Sequence, residues 1–457
     1  MKKVSALVLV CLISLAVCAG NKDWKRMKQV LAEIRQPAFA DRSYSILDYQ
    51  QQGDTLFTKA INRAIEVCSQ AGGGKVVVPA GTFYTGPIRM KSNVNLHLSE
   101  GAVLKFITDV AQFPVVLTRI EGIDCYNLSP LIYAYGEENI AVTGKGILDG
   151  QASHDNWFNA ARVRNITLPD GSIGNEKELL NRALDNDLPM EQRVFTGKYG
   201  MRPQFINFYK CKNILLEDIE LNHSPFWLIH PLLSENIILR RVKMNSHGGN
   251  NDGCDPESCK NVLIEDCYFD TGDDCIAIKS GKNGDGRKWN IPSENLIVRN
   301  CLMKDGHAGV AIGSEMTGGC RNVWVENCKM DSPHLQRIIR IKSNPLRGGV
   351  VENVYVRNIE VGVCDLAILG IELRYWHTEK GDYLPLFRNI HIDRVNSQKS
   401  RFAVHVDGLP GYHQAQDIYL SNCDIKGVTD NRLNVLEGAK NVQFKNVKIN
   451  GKKFVLK

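Results

Sequence analysis

The amino-acid sequence predicts an all-β fold: a single right-handed parallel β-helix with an N-terminal capping helix and a large inserted loop. Three observations predict it. A short phrase recurs along the chain, each copy alternates apolar and polar residues as a β-strand does, and few helical stretches separate the copies. The copies begin at Asn93, Asn139, Asn213, Asn236, Asn261, Asn295, Asn322, Asn353, Asn389, Asp417 and Asn441.

The spacing of the copies fits one coil of such a solenoid. From Asn213 onward, successive starts lie between 23 residues (Asn213 to Asn236) and 36 residues (Asn353 to Asn389) apart. Coils that hydrogen-bond to each other at about 4.8 Å stack equivalent positions in columns. The recurring Asn is therefore interpreted as a turn residue. Cysteines share the seventh place of the phrase and are predicted to form a buried ladder rather than disulfides, namely Cys267, Cys301, Cys328 and Cys423.

Two helices are predicted before the first coil and one after it. A solenoid needs a cap because its open end exposes unpaired strand edges. One helical face that fits this cap carries Leu56, Phe57, Ala60, Ile61, Ala64, Ile65 and Cys68. An earlier helix, ended by Pro37, is indicated by Trp24, Met27, Val30, Leu31 and Ile34. Residues 151–201 do not fit the repeat, and helical spacing there links Glu176, Leu179, Leu180, Ala183 and Leu184.

Composition excludes several classes of protein. The 457 residues are 43% hydrophobic and 23% charged, which excludes a disordered or collagen-like chain. The formal charge is +6, and loss of Lys2 and Lys3 with the first 20 residues would leave 6 − 2 = +4. This charge is too weak for a nucleic-acid partner.

The first residues have the layout of a bacterial secretory signal. Lys2 and Lys3 precede an apolar stretch, residues 4–17, and then Cys18, Ala19 and Gly20. We expect a signal peptide at 1–20, a catalytic β-helix domain at 21–457 with its helices and cap at 21–70, and a periplasmic or extracellular monomer. A lipoprotein anchor at Cys18 is the alternative, less favoured because Val17 stands where a small residue is usual. No other stretch approaches membrane-spanning length.

The predicted register gathers acidic side chains on neighbouring coils. It places Asp252 on Asp274 and His307 on Asp273. Like charges that close raise one pKa, which yields a proton donor and an ionised base from the same residue type. Hydrolysis of a glycosidic bond needs this division, with carboxyl groups about 6.5–9.5 Å apart if the configuration inverts.

Cations share the same region. Lys342 falls in one column with Lys279 and Glu257, and Arg340 lies two residues before Lys342. A planar guanidinium and an ammonium suit an anionic sugar such as a uronate. The interleaved cations also make a calcium cage a poor interpretation of the aspartates.

Four ordered motifs now resemble a known family. They are Asn250-Asn251-Asp252-Gly253, Gly272-Asp273-Asp274, Gly306-His307 and Arg340-Ile341-Lys342. They resemble the Asn-Thr-Asp, Asp-Asp, Gly-His-Gly and Arg-Ile-Lys motifs of the polygalacturonases, glycoside hydrolase family 28. Asn251 stands in place of Thr, and Ala308 in place of the last Gly.

The resemblance implies a role for each residue. Asp273 would be the general acid, Asp252 and Asp274 would hold the hydrolytic water, and His307 would support the acid. Galacturonate would be bound by Arg340, Lys342, Tyr375 and Asn250. The implied reaction is hydrolysis of α-1,4-galacturonosyl links of an acidic polysaccharide with inversion, without metal or other cofactor.

Other activities stay open at this point. Rhamnogalacturonan is an alternative substrate, because loops that the motifs do not describe decide side-chain tolerance. A β-helix pectate lyase would leave an unsaturated product, and a binding solenoid would lack the acid pair. The 151–201 insertion and the long segment 281–293 could close one end of a groove and favour exo action.

Overall fold

The computed structural model describes residues 22–160, 166–167 and 171–456, and its strands wind into a right-handed parallel β-helix. The predicted signal peptide with Cys18 lies outside the described residues. Each coil contributes strands to up to three parallel sheets, which we call faces A, B and C in the order in which the chain visits them.

The strands of face A are Ser43–Ser45, Gly74–Val78, Val94–Leu98, Glu138–Gly144, Lys212–Glu217, Glu235–Arg240, Lys260–Glu265, Ser293–Arg299, Cys320–Glu326, Val350–Val363, Leu386–Lys399, Ala415–Ser421 and Ala439–Lys445. Face B comprises Gly81–Thr85, Ala102–Phe106, Ile147–Asp149, Glu220–Asn222, Lys243–Ser246, Tyr268–Thr271, Leu302–Asp305, Lys329–Met330, Asp424–Ile425 and Lys448–Ile449, with the later parts of Val350–Val363 and Leu386–Lys399. Face C comprises Ile88–Arg89, Ile132–Tyr135, Ile206–Tyr209, Ile229–Leu232, Ile276–Ile278, Ala308–Ile312, Arg337–Lys342, Ala367–Glu372, Phe402–Asp407 and Asn434–Leu436.

Face C is continuous across one irregular coil. Between Ile229–Leu232 and Ile276–Ile278, the chain pairs only through single bridges at Cys254 and Glu257. Glu257 pairs with Lys279, as the sequence alignment predicts. The register of face C is therefore kept through the coil that carries Asp252.

The recurring Asn forms a hydrogen-bonded ladder at the start of face A. The phrase-initial residues from Asn93 to Asn441 have φ between 52° and 64°, a region that Asn tolerates better than most residues. Most of these side chains bond to their neighbour in the adjacent coil; for example, Asn322 donates to Asn295 at 3.1 Å and accepts from Asn353 at 3.1 Å. The predicted turn column is confirmed.

Alternating apolar residues fill the interior of the coils. Cys267, Cys301, Cys328 and Cys423 belong to this core as buried free thiols. Their prediction as a buried ladder is confirmed.

In the part of the chain that the structure describes, five helices flank the coils: α1 (residues 22–33), α2 (Thr58–Gln70), α3 (Trp157–Ala160), α4 (Glu176–Asp185) and α5 (Asn283–Trp289). Short 3-10 turns occupy Ile46–Tyr49, Val110–Gln112, Met190–Gln192 and Tyr375–His377. The predicted cap is α2, whose apolar face joins the core of the first coils. In contrast, α1 lies outside face A, where Met27, Val30 and Ile34 pack on outward residues such as Leu215, Ile238 and Leu263.

Two segments leave the coils between faces B and C before the chain reaches Asp252. One is an antiparallel hairpin of Val115–Ile120 and Ile123–Leu128. The other is the predicted insertion, which contains α3, α4 and a two-stranded pair, Ile166–Thr167 with Ile173–Gly174. The buried carboxylate of Glu176 at the start of α4 accepts hydrogen bonds from the backbone N–H groups of Thr196, Tyr199 and Met201. The insertion is therefore a folded unit held around its own helix.

Among the described helices, none combines the length and apolar character that crossing a bilayer requires.

The Asn ladder supplies a stability test. We expect Asn322→Ala to destabilise the protein by about 2–3 kcal/mol, because it removes two amide hydrogen bonds and places a Cβ-bearing residue without a local polar side chain at φ 61°. Asn322→Gly is the matched control: it removes the same bonds but relieves the backbone, and we expect a smaller loss. Thermal and denaturant unfolding of the three proteins measures both effects. Equal losses would mean that backbone conformation contributes nothing here.

Candidate active site

Three aspartates converge where adjacent coils turn from face B to face C. Asp252 precedes the bridge at Cys254, and Asp273 and Asp274 lie between Tyr268–Thr271 and Ile276–Ile278. The Gly253 N–H donates to the Asp274 carbonyl at 3.0 Å, which fixes the predicted stacking. One oxygen from each of the three carboxylates lies within 4.8 Å of the others. The coil register thus assembles the acids that the sequence singled out.

The three carboxylates lie close together, as expected of residues on neighbouring coils: one oxygen of each lies within 4.8 Å of one oxygen of the others. The separation of about 6.5–9.5 Å between the two carboxyl groups of an inverting enzyme stays a prediction for Asp273 and the acids that would hold water.

His307 lies on the next coil and contacts Asp273 twice. Its backbone N–H donates to the Asp273 carbonyl at 3.0 Å, and Nδ1 lies 3.0 Å from Asp273 Oδ1. Burial acts to raise the pKa of Asp273, but the hydrogen bond and charge of His307, with Lys342, outweigh burial and lower that pKa to about 2. The same hydrogen bond raises the pKa of His307. The pair therefore holds its proton on the imidazole.

Asp252 has the opposite electrostatics. Its side chain is buried, and burial together with the charges of Asp255 and Asp273 raises its pKa well above the ordinary value. Asp255 is fully buried, its own pKa is raised by burial, and it was not singled out from the sequence. The structure thus offers one readily ionised carboxylate, Asp273, next to one that resists ionisation.

Cations extend the site along face C. Lys342 Nζ donates to Asp274 Oδ2 at 2.7 Å across the intervening coil. Gly313 occupies that coil in the column between Lys279 and Lys342, and a Cβ there would lie 2.0 Å from the Lys342 carbonyl oxygen. Arg340 already has a partner within the protein, because its guanidinium donates to the Glu372 carboxylate at 2.9 and 3.3 Å.

The two remaining predicted residues have different surroundings. Tyr375 is half-buried among cations, its ring centroid 5.7 Å from the Arg340 guanidinium and 5.5 Å from Lys342 Nζ. Asn250 accepts a hydrogen bond from Arg202 at 3.0 Å, and this guanidinium also donates to two backbone carbonyls. Tyr375 therefore joins the cations of the predicted site, whereas Asn250 joins it only through the chain, two residues before Asp252.

A network of buried charged side chains around Lys279 lies beside the acids. Lys279 Nζ lies 3.1 Å from Glu315 Oε2, 3.6 Å from Asp255 Oδ1, and 4.5 Å from the ring centroid of Trp227. The predicted column of Lys279 is confirmed, but the sequence indicated neither a role for Lys279 nor any part for Glu315. His230 is structural: it is fully buried, and its Nε2 donates to Glu257 at 3.0 Å.

Two groups of side chains in the described residues have donors close enough to hold a metal ion. One is the aspartate triad itself, where Lys342 already supplies a positive charge to Asp274. The other is His247 with Asp270 and Asp305, in which the imidazole is hydrogen-bonded to Asp270 at 2.8 Å. The triad is equally suited to hold a water molecule between carboxylates.

Comparison with known proteins now identifies the family. The profile of glycosyl hydrolases family 28 matches residues 195–430, which is more than half of the chain and includes every motif from Asn250 to Lys342. The chain belongs to glycosyl hydrolases family 28.

Relatives extend this family-28 assignment over most of the chain. An exopolygalacturonase structure from Thermotoga maritima, described as hyperthermoactive, superposes with a TM-score of 0.86 at 39% identity, covering 94% of this chain and 96% of that one. A probable polygalacturonase of Vitis vinifera is 28% identical over 89% of this chain and 79% of its own length. An exo-poly-alpha-D-galacturonosidase of Dickeya chrysanthemi is 28% identical over 69% of this chain and 54% of its own length.

The departures from the family-28 motifs are accommodated structurally. Asn251 is fully buried, and its amide donates to the carbonyls of Ser224 and Phe226 while accepting from Ser246 at 2.8 Å. Asn251 therefore anchors the turn that presents Asp252. Ala308 is buried in a small patch with Ala277 and Ala311.

The Asp273–His307 pair predicts a measurable pH dependence. We expect the pKa of His307 to lie above the usual value of about 6.5 and to fall in Asp273→Asn, because the hydrogen bond and opposite charge are lost. Since the folded-state pKa is raised, the contribution to stability is present below the unfolded pKa and is lost as pH rises through the folded value. NMR titration of the imidazole measures the pKa of His307 in the wild type and in Asp273→Asn.

His230 is the internal control for this titration. Burial lowers the pKa of His230, and no contact joins it to Asp273 in the described residues. Its titration should not change in Asp273→Asn. An unaltered His307 titration in the same variant would contradict the pairing.

Proposed function

We propose that the chain is an exported polygalacturonase that hydrolyses α-1,4-galacturonosyl linkages with inversion and releases units from chain ends. The observation that carries the proposal is the triad of carboxylates within 4.8 Å, beside the Lys342 ammonium and the Arg340 guanidinium. Carboxylates perform the acid and base steps of glycoside hydrolysis, and the cations suit a uronate. Residues 1–20 support export through their charged, apolar and small-residue segments.

The acid in this mechanism is the Asp273–His307 pair acting as a unit. In the free protein the proton resides on His307, and it reaches Asp273 across the 3.0 Å hydrogen bond as the leaving oxygen approaches. Asp274, which accepts a hydrogen bond from Lys342, holds the attacking water together with Asp252, and the Asp274 carboxylate takes the proton that this water loses. General acid catalysis of this kind contributes about 10²–10⁴-fold in rate.

An alternative assignment follows from the charge states. Asp252, whose pKa burial raises, would be the donor, and Asp273 would be the base. We favour Asp273 as donor because its partner His307 can resupply the proton. The neighbour of the rival donor Asp252 is the carboxyl of Asp255, and no imidazole lies beside Asp255 among the contacts described.

Exo action is supported by a wall at the N-terminal end of the site. The hairpin tip reaches Lys282, whose N–H donates to the Gly122 carbonyl at 3.1 Å. Asp285 of α5 accepts from the Asp124 N–H at 2.9 Å and from Arg193 of the insertion at 2.5 Å. Three separate segments thus close on each other where a polymer would otherwise continue. The Thermotoga maritima relative is itself described as an exopolygalacturonase.

Matched Asn variants test the catalytic roles. We expect Asp273→Asn to reduce turnover on polygalacturonate by about 10² or more, with normal folding by circular dichroism. A galacturonosyl fluoride needs no protonation of its leaving group, so Asp273→Asn should retain most activity on it. Asp274→Asn, which removes a carboxylate that holds the water, should lose activity on both substrates. If Asp252→Asn instead behaves as the acid variant, the donor is Asp252.

One NMR-monitored digest tests the product and the stereochemistry together. We expect polygalacturonate to release galacturonate monomer from the first minutes, initially as the β-anomer, because the wall blocks internal binding and water attacks opposite the leaving group. Mixed long oligomers would contradict exo action. An initial α-anomer would make Asp252 or Asp274 a nucleophile, and an unsaturated, ultraviolet-absorbing product would indicate a lyase. If rhamnogalacturonan were the only substrate cleaved, the proposed substrate would be wrong.

A further inference from the structure

Five charged side chains between the wall and the catalytic acids comprise three cations and two carboxylates. We call this cluster the wall pocket, and its members are Glu121, Lys177, Lys282, Glu315 and Arg347. Lys279 connects it to the catalytic region, because Lys279 Nζ lies 3.1 Å from Glu315 and 3.6 Å from Asp255, three residues beyond Asp252. On its other side the Arg347 guanidinium lies 5.5 Å from the ring centroid of Tyr375.

The two acids of the wall pocket already have partners. Glu121 Oε1 lies 2.5 Å from Lys177 Nζ. Glu315 Oε2 lies 3.1 Å from Lys279 Nζ, and burial of Glu315 is outweighed by Lys279, Arg347 and Lys282, which hold its pKa low. Each of the two carboxylates therefore already has a lysine partner.

Two cations of the wall pocket form no hydrogen bond with a carboxylate among the contacts that the structure describes. Lys282 Nζ donates to the neutral amide oxygen of Asn181 at 2.7 Å, and burial, with the Arg347 and Lys177 charges, outweighs Glu121 and Glu315 and lowers the pKa of Lys282. Arg347 is only 8% exposed, its Nη2 lies 3.6 Å from Glu315, and its Nη1 is buried without a hydrogen-bond partner. A buried guanidinium N–H without an acceptor is costly, so the geometry fits an anion that arrives with a ligand.

We propose that Lys282 and Arg347 bind the carboxylate of the galacturonosyl unit that lies on the wall side of the cleaved bond. This inference rests on the proposed function and adds a specificity determinant to it. Guanidinium and ammonium groups form short, charge-assisted hydrogen bonds with carboxylates. A terminal uronate held this way has its carboxylate against the wall and its glycosidic oxygen toward Asp273. Neutral hexoses of the same size leave the Arg347 N–H group unsatisfied and are rejected.

The test measures binding of free D-galacturonate by calorimetry and its inhibition of polygalacturonate cleavage. The variants are Lys282→Met and Arg347→Met, with Lys288→Met as the matched control. Lys288 lies on α5 near Lys282 but is 57% exposed and outside the wall pocket. Thermal unfolding checks that each variant is folded.

We expect both pocket variants to weaken galacturonate binding at least about 10-fold, which corresponds to about 1.4 kcal/mol. Binding of D-galactose, weak in the wild type, should not change, and Lys288→Met should bind galacturonate as the wild type does. An equal loss in Lys288→Met, or unchanged binding in folded Lys282→Met and Arg347→Met, would overturn the proposal. Galacturonate binding that depends on both residues in a protein inactive on polygalacturonate would overturn the proposed function and support the pocket.

Discussion

Successive coils hydrogen-bond in parallel, so equivalent residues stack at about 4.8 Å, and this constraint determines both the stability and the chemistry of the molecule. The Asn ladder fixes the register at the start of face A. The same register brings Asp252 above Asp274 and His307 above Asp273. A polar side chain therefore contacts the residue at the same position of the next coil directly. A register shift of one residue between the two coils would move Asp252 away from Asp274.

Bringing acids together in a buried place is unfavourable unless their charge is compensated. The structure compensates in two ways. Lys342 neutralises Asp274 directly, and Lys279 lies between Glu315 and Asp255. At Asp252, burial and the charges of Asp255 and Asp273 outweigh the attraction of Lys279, so the pKa of Asp252 is raised and this carboxyl resists ionisation. The site thus holds carboxyl groups in different charge states without any difference in residue type, which acid and base catalysis require.

Sequence reasoning predicted what the repeat determines. The β-helix, the α2 cap, the buried cysteines and the stacking of Asp252 on Asp274 all follow from positions within a coil. It failed where contacts are made between loops that share no register. Nothing in the spacing of Lys282 and Arg347, 65 residues apart, indicates that both charges act on Glu315.

The division between coils and loops also separates the parts of the fold that the register fixes from those that it leaves free to change. Coils are rigid, because each is hydrogen-bonded to two neighbours, so the groups that transfer protons stay at fixed separations. Loops are tolerant of change, because they are not bound by the register. In this chain the hairpin, the insertion around Glu176 and the α5 segment meet through Asp285 and Lys282. A wall built this way can be added to the same catalytic coils without a change in the register that stacks Asp252 on Asp274 and His307 on Asp273.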